Sequence, residues 1–299
     1  MSENVLFEDL TREQRACVQQ FQQYVVEMVR SRAQSWPISQ RLIQAIAQVL
    51  SSDVLSPGHP VNLRPIATRL HARVNVVAWP GNRAAADITP TPDGFDIAIR
   101  RATTGPAAVD GLFPEQVITV GKRSIFTPHE RFSLAHELGH VFFYRQEHLG
   151  EPPQRIVTRR VGKFTREEGL CHDFARALLI PTSVAHAVDG SPSLRELLRA
   201  ARDCAVSPEV CVRRLLHDCD LWPESLFVRL SFETGVLRAD CFRGRLRPAA
   251  SQRNPGRRQV MAIVGACDTV GAAVEAMRQR YDLPQDRIAE SADRAWFEL

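Results

Sequence analysis

The chain has 299 residues, of which 44% are hydrophobic and 24% are charged. This composition is ordinary for a globular protein with its own apolar core, and it excludes wholesale disorder. The formal net charge of +4, from 38 basic and 34 acidic side chains, is too small for a protein coated with positive charge to bind nucleic acid.

The cysteines and the N-terminal sequence indicate the cellular compartment of the protein. The seven cysteines have no close CxxC pairing, which argues against a disulfide framework or a zinc ribbon, so we expect reduced thiols that are mostly in the core. The N-terminal sequence MSENVLFEDLTREQ lacks the pattern of a signal peptide, and no apolar run approaches the roughly 20 residues that span a bilayer. We therefore predict a cytoplasmic protein without a membrane segment.

The first part of the chain has the apolar spacing of two helices. Residues 11–52 contain two apolar stripes with helical periodicity, and Trp36-Pro37 marks a break between them. The pattern predicts a helical hairpin over residues 1–55. Such a hairpin could cover a functional site, mediate dimerisation or extend the core.

A small sheet is predicted next. After a linker at 56–60, the sequence VNLRPIATRLHARVNVV (61–77) indicates a helix that runs into a strand. Residues 94–100 and 116–123 have the alternating or apolar character of strands. We expect these strands to lie just before the central helices.

The central segment contains two histidines at helical spacing. The sequence TPHE (127–130) has the residues of a helix start, with a threonine N-cap, a proline at the first position and a glutamate at the third. The predicted helix includes RFSLAHELGH (131–140), in which His136 and His140 are four residues apart. Residues at this spacing lie on one face of a helix, so both imidazoles can bind one metal ion.

Three features favour a metal site over a solvated helix with two surface histidines. Glu137 is rotated by about 100° from its neighbour and can reach a water at an open coordination position, where a general base belongs. Gly139, which costs about 1 kcal/mol in a helix relative to alanine, indicates the close approach of another backbone. An apolar stripe predicts that the helix is buried, and it consists of Leu134, Ala135, Leu138, Val141 and Phe142.

A catalytic zinc site also needs a third protein ligand. The pattern HExxHxxGxxH is excluded, because the residues after the motif do not match it. The next predicted helix runs from Thr165 to Ile180 and has Glu167 and Glu168 near its start. Glu168 could be the ligand, or it could form a capping box with Thr165. The apolar pattern of the helix places Glu168 toward the core and Glu167 elsewhere, which favours the ligand.

The last third of the chain contains two further patterns. Residues 193–222 have two helical segments around a short turn, a plausible helix-turn-helix. Two strands around Glu233-Thr234-Gly235 predict a hairpin, followed by a strand at 259–266 and a helix at 269–281. Residues 223–299 are therefore predicted to form a small α/β module.

Two blocks of this sequence resemble the ImmA/IrrE metallopeptidases, which show RF(T/S)xAHELGH and, some tens of residues later, ExxA(N)xFAxxLLMP. Residues 131–140 match the first block almost throughout, and residues 168–181 match the second. Cys171-His172 stands where the family commonly has Ala-Asn. The resemblance covers roughly residues 61–222.

Together, the patterns and the resemblance indicate an α+β protein with four parts. They are an N-terminal helical hairpin at 1–55, a mostly helical, zincin-like zinc metallopeptidase domain with a small sheet at 56–190, a helix-turn-helix-like segment at 191–222, and a small C-terminal α/β domain at 223–299.

The resemblance implies a zinc site made of His136, His140 and Glu168, with Glu137 as the catalytic base and peptide-bond hydrolysis as the reaction. His172, one turn from Glu168, could orient that carboxylate or contact the substrate. Members of the family are associated with cleaving or inactivating a helix-turn-helix repressor, and so with derepressing phage, mobile-element or stress genes. Such a repressor is the partner that the resemblance implies.

The sequence also allows functions of another class. Residues 193–222 and the run CFRGRLRPAASQRNPGRR (241–258), with six arginines and no acidic residue, could contact DNA phosphates. The alternative is thus a DNA-binding transcriptional regulator, or a sensor in which the peptidase-like domain serves partner binding.

Overall fold

The computed structural model describes residues 5–31, 36–56, 59–79, 85–102, 118–119, 125–157, 167–188, 193–223, 225–233, 236–244, 257–290 and 294–298. The protein is α+β, as predicted, with helices and several small sheets. The described residues divide into two compact units. The first contains those up to Thr182 together with Cys204–Val206, and the second contains Ser183–Asp203 and those from Ser207 onward. Within the described residues, none of the helices combines the length and apolarity that crossing a bilayer requires.

The first unit contains five helices and seven strands in its described part. The helices are α1 (Arg12–Ser31), α2 (Trp36–Ser52), α3 (Leu63–Arg69), α4 (Pro128–His140) and α5 (Glu167–Leu179), with 3-10 turns at Val5–Phe7 and Val141–Phe143. The strands are β1 (Ala72–Trp79), β2 (Ala85–Thr91), β3 (Gly94–Ala102), β4 (Ile118–Thr119), β5 (Ile125–Phe126), β6 (Tyr144–Arg145) and β7 (Gln154–Arg155). β1, β3 and β2 form a sheet in that order, with β1 parallel and β2 antiparallel to β3. β4 pairs with β5 and β6 with β7, both antiparallel.

The N-terminal helices α1 and α2 confirm the two predicted helical stripes. The Phe21 ring of α1 packs edge-on against Phe143, with the ring centroids 5.3 Å apart. Gln22 Nε2 donates hydrogen bonds to the carbonyl oxygens of Phe142 (3.0 Å) and Tyr144 (2.9 Å). The N-terminal helices therefore extend the core of this unit, and α1 supports the segment that directly follows α4.

The three-stranded sheet is partly as predicted. α3 and β1 confirm the helix and strand expected over 61–77, and β3 confirms the strand at 94–100. Of the strand predicted at 116–123, only a two-residue strand lies within the described residues. β2 was not predicted, although the turn between it and β3 carries the sequence Pro-Asp-Gly. Gly94 has a φ of 128°, and a Cβ there would lie 2.2 Å from the carbonyl oxygen of His71, so glycine is required.

Helix α4 packs closely against α5 and also against β2 and β3. Its predicted apolar stripe is buried along its whole length. A Cβ at Gly139 would lie 3.2 Å from the Cα of Cys171 and 3.2 Å from the ring of Phe174, which confirms the predicted close approach of another backbone. The glycine lets the two helices approach closely at the level of the histidine pair.

The elements beyond α5 are helices and one antiparallel sheet. The helices are α6 (Thr182–Ala187), α7 (Leu194–Asp203), α8 (Pro208–Arg213) with a π turn at Arg214–Asp218, α9 (Arg257–Gly265), α10 (Val270–Tyr281) and a 3-10 turn at Gln285–Arg287. The strands are β8 (Leu226–Glu233), β9 (Val236–Arg243), β10 (Ile288–Glu290) and β11 (Arg294–Glu298), in the sheet order β10-β11-β8-β9. α7 and α8 confirm the two helices predicted in 193–222, and β8 and β9 confirm the hairpin.

The strand predicted at 259–266 is wrong, because this segment lies within and just after α9. Val260 and Val264, one helical turn apart, are buried, whereas Met261 is 42% exposed. A short, continuous apolar run has no period that separates a strand from a helix. The buried face of the helix was decided by the core of the unit, against which Val260 and Val264 pack.

All seven cysteines lie within the described residues and are free thiols, as predicted. Cys171, Cys204 and Cys211 are buried, and the other four are partly exposed. Fewer thiols than expected are therefore in the core. Burial raises the pKa of the Cys171 thiol well above its ordinary value, so this side chain acts as an apolar residue in the packing of α5.

Candidate metal centre

The start of α4 is held by the predicted capping box. Thr127 Oγ1 accepts a hydrogen bond from the Glu130 backbone N–H (3.2 Å), and the Thr127 N–H donates to Glu130 Oε2 (2.8 Å). Arg101 of β3 donates to the same carboxylate at 2.7 Å. The buried guanidinium of Arg131 donates to the carbonyl oxygen of Val61 at 3.0 Å. These contacts fix the position of the helix against the sheet.

The two histidines of the motif face each other at the end of α4. His136 Nε2 and His140 Nε2 are 3.2 Å apart. Two nitrogens that each lie about 2 Å from a tetrahedral ion are about 3.3 Å apart, so the spacing matches a shared metal ion. Burial, together with the charges of His140 and His172, lowers the pKa of His136 to about 3. Its ring is therefore neutral near pH 7, as a metal ligand must be.

Glu168, the predicted third ligand, lies beside both imidazoles. Its Oε2 is 3.2 Å from His136 Nε2, and its Oε1 is 3.7 Å from His140 Nε2. The side chain is 74% exposed, so the prediction that helix burial draws Glu168 toward the core is wrong. The Glu168 carboxylate lies on the solvent-exposed side of the first turn of α5 and approaches both histidines from there. Thr165, its partner in the alternative capping box, lies outside the described residues.

Glu167, which we expected to point elsewhere, is the buried glutamate of the pair. Its side chain is 7% exposed, and its Oε1 accepts a hydrogen bond from His140 Nδ1 at 2.7 Å. Arg155 Nη1 donates to Oε2 of the same carboxylate at 2.6 Å. The two hydrogen bonds explain the error, since they turn the first residue of α5 inward. The sequence signal was the pair of adjacent glutamates, but nothing in the local pattern of 145–164 points to Arg155.

The His140–Glu167 contact shifts both pKa values in the direction of an ion pair. Burial alone would lower the pKa of His140, but the hydrogen bond and charge of Glu167 outweigh it and raise the pKa above 6.5. Burial alone would raise the pKa of Glu167, but His140 and Arg155 hold it below 4.5. The metal-free protein therefore favours a charged pair at this position.

Glu137 is buried next to the two imidazoles. Its carboxylate and the imidazole nitrogens of His136 and His140 offer ligand atoms that all lie within 4.8 Å of one another, a group that could hold a metal ion. Burial raises the pKa of Glu137 to about 7, with His140 lowering it and the charges of Glu168 and Asp87 adding to the rise. A carboxylate with such a pKa can both accept and release a proton near neutral pH.

His172 contacts the site through His136. Its Nδ1 shares a hydrogen bond of 2.7 Å with the backbone oxygen of Glu168, not with the carboxylate. Its ring lies against the His136 ring, with centroids 4.5 Å apart, and is nearly parallel to the Phe132 ring at 5.7 Å. The structure thus places His172 as a packing neighbour of one histidine, and burial lowers its pKa.

The donor set of this site fits a divalent metal ion. When the His140 ring is neutral, the hydrogen bond to Glu167 keeps its hydrogen on Nδ1, so its Nε2 has a lone pair that faces Nε2 of His136. Two imidazole nitrogens and one carboxylate at these separations are a ligand set typical of catalytic zinc sites. The groups come from two helices, α4 and α5, which pack closely.

No protein-family model matches this chain, and a search of curated proteins finds no match. The resemblance to the ImmA/IrrE metallopeptidases therefore rests on the two blocks at 131–140 and 168–181. In the structure the side chains of these two blocks meet at one place, although His136 and Glu168 are 32 positions apart in the chain.

Proposed function

We propose that this protein is a zinc-dependent endopeptidase, with His136, His140 and Glu168 as metal ligands and Glu137 as the general base. The observation that carries the proposal is the approach of two imidazole nitrogens and one carboxylate to within 3.2–3.7 Å of one another. A solvated helix with two surface histidines does not account for a buried acidic side chain directly beside them.

The chain's own residues have distinct roles in the proposed hydrolysis. A zinc ion held there would act as a Lewis acid that polarises a peptide carbonyl and makes water more acidic. Glu137 would take a proton from the attacking water and deliver it to the leaving amine. Its pKa of about 7 in the metal-free protein is close to the pH at which such a group works best. His172 and Phe132 would hold the His136 ring in place by packing.

We propose a helix-turn-helix repressor as the protein substrate, on the strength of the resemblance alone. Cleaving such a repressor would derepress the phage, mobile-element or stress genes that it controls.

The alternative of DNA binding has less support. Arg214, in the π turn after α8, is 2% exposed and cannot contact a phosphate in this conformation. Arg213 pairs with Glu209 at 3.1 Å, and its guanidinium lies over the Phe242 ring at 5.2 Å. In this conformation both arginines therefore contact groups of their own unit. Residues 245–256 of the arginine-rich run lie outside the described residues.

Metal analysis and a cleavage assay test the proposal together. We expect about one zinc per chain, and a discrete cut in a helix-turn-helix repressor offered as the substrate. The Glu137→Gln variant should retain zinc and cleave at least about a hundredfold more slowly, whereas His140→Ala should lose zinc as well. Full cleavage by the Glu137→Gln variant would contradict the mechanism, and a wild-type protein that binds no zinc would contradict the metal site.

A further inference from the structure

Two adjacent glutamates at the start of α5 approach opposite nitrogens of a single imidazole. Glu167 accepts from His140 Nδ1 at 2.7 Å, and Glu168 lies 3.7 Å from Nε2 of the same ring. Neighbouring helical residues point about 100° apart, so one carboxylate can lie behind the ring and the other in front of it. We infer that Glu167 is a positioning residue, which holds His140 in the tautomer and orientation that present Nε2 to the metal.

The hydrogen bond sets the tautomer of His140. An ionised carboxylate only accepts hydrogen bonds, so the shared hydrogen belongs to Nδ1, and once the ring is neutral, as metal binding requires, the lone pair lies on Nε2. A carboxylate behind a ligand histidine also makes the ring a stronger base toward the metal. This inference rests on the proposed metal site, and it adds a residue outside the ligand set to the groups that determine zinc affinity.

Arg155 holds the positioning carboxylate in place. A buried carboxylate is costly unless charge and hydrogen bonds compensate it, and Arg155 supplies both at 2.6 Å. Arg155 Nε in turn donates to the hydroxyl of Tyr144 at 3.1 Å, and its guanidinium lies over the Tyr144 ring at 5.0 Å. Tyr144 and Arg155 are direct partners in the β6–β7 ladder. Tyr144 and Arg155, which follow α4 in the chain, therefore support the site by holding the Glu167 carboxylate.

The two histidines are positioned by different means. Nδ1 of His136 is buried, and within the described residues it has no hydrogen-bond partner. Its ring is held by packing against His172. Loss of the carboxylate at Glu167 should therefore act on His140 and leave the packing of His136 unchanged.

The Glu167→Gln variant tests the positioning role of this carboxylate most directly. Arg155 needs an acceptor, so the amide oxygen of the glutamine should face Arg155 and its NH₂ group should face His140 Nδ1. The proton of the ring would then move to Nε2, the nitrogen that should bind the metal. We expect zinc affinity, measured by competition with a chromophoric chelator, to fall about 10- to 100-fold. Nitrogen-15 NMR of the metal-free protein, at a pH high enough to make the His140 ring neutral, should show the ring protonated at Nδ1 in the wild type and at Nε2 in the variant.

Glu130→Gln is the matched control, because Glu130 is also a buried glutamate paired with an arginine, Arg101, but does not contact either histidine. A glutamine at this position still accepts a hydrogen bond from the Thr127 N–H, so the start of α4 should be retained, and the zinc affinity and the His140 tautomer should equal those of the wild type. Arg155→Met provides a second variant should Glu167→Gln fail to fold. It should weaken zinc binding less than Glu167→Gln, since Glu167 still accepts from His140.

The outcomes separate this inference from the proposed function. If the wild type binds zinc, and Glu167→Gln and Arg155→Met bind it equally tightly with an unchanged His140 tautomer, the positioning role is overturned. The peptidase proposal then stands. If Glu130→Gln loses as much affinity as Glu167→Gln, the effect is general loosening and the positioning role is again overturned. If the wild type binds no zinc, the proposed function and the inference fail together.

Discussion

Replacing Glu137 by glutamine should stabilise the metal-free protein while it slows hydrolysis at least about a hundredfold. Glu137 is 8% exposed, and burial is the main cause that raises its pKa from 4.5 to about 7. The folded protein thus holds this proton more tightly than the unfolded chain does, so stability is lost as the pH rises from 4.5 through 7. Since a tenfold change in a proton equilibrium corresponds to about 1.4 kcal/mol, the ionised carboxylate costs about 3 kcal/mol above pH 7.

Urea unfolding in the presence of a chelator, at pH 8 and at pH 5, measures this cost. The Glu137→Gln variant should be more stable than the wild type by about 3 kcal/mol at pH 8 and by less than about 1 kcal/mol at pH 5. Glu151→Gln, an exposed glutamate, is the control and should change the free energy of unfolding by less than about 0.5 kcal/mol at either pH. A Glu137→Gln variant no more stable than the wild type at pH 8 would refute the reasoning that this carboxylate is buried at a cost to folding.

Two further predictions concern helix packing and metal removal. Gly139→Ala should destabilise the protein by about 1 kcal/mol in thermal or urea unfolding, because the Cβ would lie 3.2 Å from the backbone of Cys171 and this crowding outweighs the better helix propensity of alanine. Gly271→Ala has no atom within 4 Å of the new Cβ and should not destabilise; equal losses in both variants would contradict the close packing of α4 and α5. Chelation should lower the free energy of unfolding of the zinc-loaded protein by about 2.7 kcal/mol relative to a sample with free zinc at a hundred times its Kd. Chelation should not change the free energy of unfolding of the His140→Ala variant. A wild-type melting temperature that is the same with and without zinc would contradict metal binding.

The histidine pair could be predicted because its geometry is local. Four residues of helix bring His136 and His140 onto one face whatever surrounds them, and the capping box at Thr127 specifies where that helix begins. Gly139 predicted a close neighbour, and the structure identifies it as α5. Each of these inferences depends on contacts within about one turn of the chain, which residue types alone specify.

The orientations of Glu167 and Glu168 were decided by contacts between residues that are far apart in the chain. Periodicity assigned Glu168 to the buried face of its helix, yet Glu167 is the buried residue, because the hydrogen bonds of His140 and Arg155 turn it inward. The apolar run at 259–266 likewise became a helix because the core of its unit accepts one face of it.

By itself, then, the amino-acid order determined the α+β class, the start of α4 and the spacing of its two imidazoles, since these follow from backbone geometry over a few residues. Only the tertiary structure decided which of two neighbouring glutamates lies behind His140 and which lies in front of it. The physical reason is that a buried carboxylate goes where distant donors compensate its charge, and Arg155 is 12 residues away from Glu167.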